Sequence, residues 1–292
     1  MENLIINVLF PLYLLIFIGY LIGRIKPDAR TNTISTIVIY VFAPALIFHS
    51  FRKISLNAQN LTCMFSSALS VFVLVFLISV LAEKLFLKMK NEAFELSTTV
   101  MNAGYLGIPL IYLMFGEKGL PYALSFMVAM AVYHFSLGIA ILQKENFKST
   151  VISAVKIPLL PALIFSLLLK NVSLPPGILK MIEMSGNASL PLMLVSIGIS
   201  LSKIVPKELK IGVIATVVRF FGGTIAALLT VSIIPCPTTA KKVIIVQSSL
   251  PSAILNYVLC EKFKKSPQTA ATIIFISTLL FPLYLLLIKN FL

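Results

Sequence analysis

The sequence predicts an all-α polytopic membrane protein of ten transmembrane helices. They form a 5+5 inverted repeat with the fourth and ninth helices broken and crossed. Three observations predict it. The 292 residues are 59% hydrophobic and only 12% charged, where a soluble domain carries about a quarter charged residues; mean hydropathy is +1.01. Ten apolar segments recur, each long enough to cross about 30 Å of hydrocarbon. Two of them, in matching places of the two halves, carry helix-breaking residues at mid-depth.

The first segment, 4–23, reads as a retained span. Glu2 precedes it, Arg24 and Lys26 follow it, and no small-residue cleavage site stands out near Gly23. The second, 33–51, and the seventh, 178–201, are interrupted by Pro44 and Pro191. Uninterrupted apolar runs give the third (61–81), fifth (120–142), sixth (151–170), eighth (211–234) and tenth (267–290) spans. The fourth, 96–116, holds Asn102-Ala103-Gly104-Tyr105-Leu106-Gly107-Ile108-Pro109. The ninth, 240–260, holds Gln247-Ser248-Ser249-Leu250-Pro251-Ser252. Broken backbone in hydrocarbon is tolerated only where it is buried in protein or lines a cavity.

The loops set orientation. Alternate loops carry 15 lysines and arginines against 8 in the others and the C-terminal tail. The richer set, including Arg24, Lys84, Lys144, Lys203 and Lys262, faces the cytoplasm, so both termini are extracytoplasmic in the plasma membrane. The net charge of +14 is therefore a topological signal and does not point to nucleic acid. The polar stretch 143–150 links a first five-helix repeat, 1–142, to a second, 151–292, that enters from the opposite face. Asn102 precedes Glu117-Lys118, and Gln247 precedes Glu261-Lys262, by about four turns each.

The two breaks are the candidate binding site. By helical rise they lie about 15 Å and about 16 Å in from opposite faces, so they cross near the midplane. Each resumed half-helix directs backbone N–H groups and a partial positive charge at the crossing, which suits an anionic ligand. Asn102, Gly104, Tyr105, Gly107, Pro109, Gln247, Ser249, Pro251 and Ser252 are the substrate-binding candidates. The competing reading is a pair of simple proline kinks.

Arg219 and His134 are candidates for coupling or support. Each lies about 12 Å deep by helical rise. An intramembrane guanidinium is costly, and Arg219 either clamps backbone carbonyls or attracts the anion. His134 either packs or relays protons. His49 reads as interfacial. No carboxylate lies deep in any span, which argues against sodium coupling. Cys63, Cys236 and Cys260 are too few and scattered for a disulfide framework or a metal site and read as small buried or interfacial residues. No zinc-protease, nucleophile-elbow or phosphate-loop motif occurs, so no enzyme, cofactor or metal is expected.

At these motifs the chain resembles the auxin efflux carrier family, the plant PIN carriers and their bacterial relatives. Phe42-Ala43-Pro44-Ala45-Leu46-Ile47-Phe48-His49 is similar to the family's Phe-Ala-x-Pro-Leu-Leu-x-Phe-His, one residue shorter before the proline. Asn102 with Gly107-Ile108-Pro109-Leu110 resembles Asn-x-x-x-x-Gly-Ile-Pro-Leu. Val218-Arg219-Phe220 with Gly222 resembles Val-Arg-Phe-x-x-Gly, and Val246-Gln247-Ser248-Ser249-Leu250-Pro251 resembles Val-Gln-Ala-x-Leu-Pro. The resemblance implies a secondary carrier of small organic anions, auxin-like or malate- or malonate-like carboxylates, working by alternating access. It implies a crossover domain moving against a scaffold of the first, second, sixth and seventh spans, and a homodimer formed through that scaffold. Asn102 would contact the substrate carboxylate, with Pro109 and Pro251 at the breaks. An anion channel and a non-transporting sensor are the rival functions. Gly223-Thr224 stands where the plant pattern has Gly-Pro, and Ser252 where it has Gln. The long central loop of the plant carriers is reduced here to about 143–150, so regulation through it does not carry over.

Overall fold

The computed structural model describes residues 4–29, 31–53, 56–88, 90–143, 158–169 and 171–289. Among the described residues, seven helices are long and apolar enough to cross a membrane. They are α1 (Ile5–Ile25), α2 (Thr31–Lys53), α3 (Ala58–Leu87), α6 (Leu120–Leu142), α8 (Pro176–Ser202), α9 (Leu209–Ile233) and α12 (Pro267–Ile288). Between them lie shorter helices. The predicted fourth span is two pieces, α4 (Glu92–Thr99) and α5 (Gly107–Phe115). The predicted ninth is likewise α10 (Thr238–Ser248) and α11 (Ile254–Lys262). The described part of the predicted sixth is α7 (Leu159–Leu168). The rest of that span before residue 158, and the linker beyond Gln143, lie outside the described residues.

Helix ends follow local chemistry. Asn57 caps α3 by accepting the Asn60 N–H at 2.8 Å, and Asn91 caps α4 by accepting the Phe94 N–H at 3.0 Å. Lys88, in the left-handed region at φ 55°, closes α3. Pro44 and Pro191 do not interrupt their helices, contrary to the sequence expectation. Pro191 lies inside an unbroken α8, and Pro44 follows a wide π turn, Val38–Phe42, within a continuous α2. A widened turn makes room for the ring and the missing donor.

The helices sort into two groups. One is α1, α2, α7 and α8, with α8 laid along α1 and α2, and α7 on α2. The other gathers α3, α6, α9 and α12 around the four half-helices. The groups meet where α5 touches α8 and the start of α1, and where α6 touches α2 and α7. Tyr13 on α1 donates to the Thr278 carbonyl on α12 at 2.7 Å.

Small residues let α1 and α8 approach closely. A Cβ built on Gly198 would collide with the Ile16 carbonyl oxygen, and one on Gly19 with the Val195 carbonyl. In lipid, where burying apolar surface gives helices little reason to associate, such backbone proximity is the main source of packing energy. Gly198→Ala should therefore destabilise the protein by about 1–3 kcal/mol, the usual cost of overpacking. Thermal unfolding checks this, and an unchanged melting temperature would contradict it.

Two sequence expectations fail here. Cys63 and Cys236 form a disulfide with Cα atoms 5.8 Å apart, linking the start of α3 to the loop after α9. Their sequence separation of 173 hid the pairing, which depends on both helix ends reaching one face. Cys260 is free and buried, as read. Buried carboxylates also exist. α3 runs six residues past the predicted end at 81 and α4 begins at Glu92, so Glu83 and Glu95 are both enclosed.

Candidate functional site

Val100 leaves α4 in an extended conformation, and Ala253 enters α11 from one. The two breaks meet there. The Asn102 N–H donates to the Pro251 carbonyl at 2.8 Å and the Ala253 N–H to the Val100 carbonyl at 3.1 Å. Met101 and Ser252 thus form a single antiparallel bridge. Extended backbone at this depth satisfies itself by pairing with the other broken segment.

This pairing corrects one expectation. The first amides of α5 are not free donors. Gly107 N–H bonds the Asn102 carbonyl at 3.0 Å, Ile108 N–H bonds the Gly104 carbonyl at 3.1 Å, and Pro109 has no N–H. What α5 offers a ligand is its dipole and its neighbouring side chains.

Those side chains divide into free and committed. The Asn102 side chain is buried, and its Nδ2 has no hydrogen-bond partner. Gln247 is fully buried; its Nε2 donates to the Ala123 carbonyl at 3.3 Å, while Oε1 is unpaired. Gly107 lies against Gln247 Oε1 and Leu250, so a Cβ there would have to displace those side chains. Tyr105 is half-buried, and its hydroxyl has no hydrogen-bond partner. Gly104 has ordinary space around it, with Met127 the nearest neighbour. Ser249 is committed: its hydroxyl donates to the Ile245 carbonyl at 2.7 Å and pairs with Thr224 at 2.8 Å. Ser252 is committed too, its N–H to Ser277 and its hydroxyl accepting from Asn256. Pro109 and Pro251 are buried at the breaks.

Arg219 is fully buried and spans both breaks. Its Nη1 donates to the Thr98 and Thr99 carbonyls at 2.5 and 2.6 Å, and its Nη2 to the Ser248 carbonyl at 2.6 Å. The last carbonyls of α4 and α10, left without intrahelical partners, are thereby held by one planar fork. Gly223 makes this reach possible, since a Cβ there would strike both Ser248 O and the guanidinium. Among the described residues Arg219 bonds carbonyls and no carboxylate.

A family model described as "Membrane transport protein" matches residues 4–289. The chain belongs to this family, that of the auxin efflux carriers. It is similar to an uncharacterized transporter of Methanocaldococcus jannaschii, 30% identical over 295 residues, covering 93% of this chain and 94% of the relative. It is also similar to an uncharacterized transporter of Methanothermobacter thermautotrophicus, 24% identical over 280 residues and 91% of each chain.

In this membrane transport protein the sequence reading missed one polar group at the break. Asn256 is fully buried on α11. Its Nδ2 donates to the Val100 carbonyl and to Ser252 Oγ, both at 3.0 Å, so one side chain ties the two breaks together. Its Oδ1 is unpaired, as is the Nε2 of the buried His134 on α6. The missed signal was an asparagine one turn beyond Ser252 inside an apolar span, where polar side chains cross-link helices. His134 opens a π turn, His134–Gly138, an irregularity often found at functional sites.

The buried carboxyls lie on the cytoplasmic side of the break by the predicted orientation. Glu83 accepts the Asn91 N–H, and Glu95 is buried on α4. Buried titratable groups thus include Glu83 and Glu95 besides His134.

Proposed function

We propose that the chain is a secondary carrier of small organic anions, carboxylates of malate-like, malonate-like or auxin-like size, working by alternating access. The observation that carries this is the pair of mutually bonded helix breaks with the unpaired, buried Asn102 amide between them. Neutral donors, a helix dipole and the fixed positive charge of Arg219 favour an anion over a cation. Ten spans in two inverted five-helix repeats, 1–142 and 151–292, would place the breaks on the fourth and ninth. The half-helix group would move as a crossover domain against a scaffold of α1, α2, α7 and α8, and the homodimer would form through that scaffold. The separation of the helices into these two groups supports the division.

The orientation, both termini outside the plasma membrane, has support besides loop charge. The Cys63–Cys236 disulfide sits on the face that this orientation makes extracytoplasmic, the side where disulfides persist.

Asn102→Ala should weaken carboxylate binding by about 1–3 kcal/mol, the cost of leaving a buried partner unsatisfied. The fold should survive, because the helix is already interrupted and the Asn102 backbone bonds do not depend on its side chain. Calorimetric titration of the purified variant with malate and malonate checks this. Wild-type affinity in a folded variant would remove Asn102 from the site.

A further inference from the structure

The two helix groups are joined at one face by an ion pair that the substrate site does not use. Lys53 ends α2, and its Nζ lies 2.7 Å from Glu117 Oε1, in the turn after α5. The neighbouring Arg52 is committed within its own group, donating to the Leu169 and Val172 carbonyls at 2.8 and 2.9 Å. Glu183, the other carboxylate near Lys53, pairs with Lys180 at 3.1 Å. So the end of α2 is anchored to the α7 region by Arg52, and Lys53 reaches across to the half-helix group.

Beneath the pair lies a cavity of about 10 Å³, room for about one water molecule. His49, Ser50, Tyr112 and Asn187 line it with the ion pair. Ser50 is only 5% exposed, and its hydroxyl has no partner. A buried, unpaired donor beside an ammonium is the donor set a carboxylate needs, in a space too small to hold one. The pair itself is half in solvent, 41% and 52% exposed. Such pairs are weak, which suits a contact that must open repeatedly.

We propose that this cavity is an outer access site for the transported anion, latched by Lys53 and Glu117. When the helix groups part, Lys53 exchanges the Glu117 carboxylate for that of the substrate, with Ser50 as a second donor. This rests on the carrier reading, but its test does not need flux.

The test uses purified protein with Ser50→Cys as a reporter, labelled by a neutral polar maleimide. Glu117→Gln and Lys53→Gln should each speed labelling about three- to fivefold, the shift an exposed ion pair can impose on a two-state equilibrium. The exchanged pair, Lys53→Glu with Glu117→Lys, should restore slow labelling. Malonate should slow labelling in Glu117→Gln, where Lys53 is free, and not in Lys53→Gln. Labelling rates equal to the reporter parent in both single variants would overturn the latch. Equal malonate protection in the two, or none in either, would overturn the exchange. Faster labelling from a protein that moves no carboxylate would count against the carrier reading while leaving the latch in place.

Discussion

Arg219→Lys should fail as completely as Arg219→Ala, each losing about 3–5 kcal/mol of stability, the range for breaking a buried charged network. The guanidinium reaches three carbonyls on two separate helix ends. Removing it leaves the Thr98, Thr99 and Ser248 carbonyls buried without donors, and each unmet group carries a desolvation cost. A lysine ammonium keeps the charge but is a point on a flexible stem. It cannot present two coplanar nitrogens to both ends at once. Were Arg219 chiefly an anion attractor, lysine would retain stability and much of the affinity. Melting temperature and malonate affinity, measured together for both variants, separate these outcomes. A lysine variant with near-normal stability would contradict the clamp.

Cys63→Ser should lower stability by about 2–4 kcal/mol under oxidising conditions. The disulfide closes a long segment between α3 and the loop after α9, and so restricts the unfolded chain. A reductant should shift the unmodified protein toward the variant's melting temperature and leave the variant itself unchanged. Cys260, buried and distant in sequence, offers no replacement partner. A variant that melts like the unmodified protein without reductant would show that the bridge contributes nothing.

The breaks were legible because glycine and proline punctuate an apolar run, and no continuous helix absorbs Gly104, Gly107 and Pro109 together. What the breaks bond to was not legible. The expectation of free amides on α5 failed because Asn102 and Gly104 carbonyls, close in sequence, fold back onto them. Arg219 stood out as a lone deep charge, yet its acceptors are carbonyls, and every residue has one. Hydropathy drew the ends of α3 and α4 at their first charges, and so placed Glu83 and Glu95 outside when packing encloses them. Pro44 and Pro191 looked like breaks by residue type alone, whereas a widened turn precedes Pro44 and Pro191 lies inside an unbroken helix. Asn256 and the disulfide depend on which segments meet in space, which periodicity does not report.

Reconstitution into proteoliposomes, with uptake of radiolabelled malate and malonate, tests the central claim most directly. Saturable uptake is expected, absent from protein-free vesicles and strongly reduced in Asn102→Ala. Folded protein that moves no carboxylate, or a flux that rises without saturation as through an open pore, would contradict an alternating-access anion carrier.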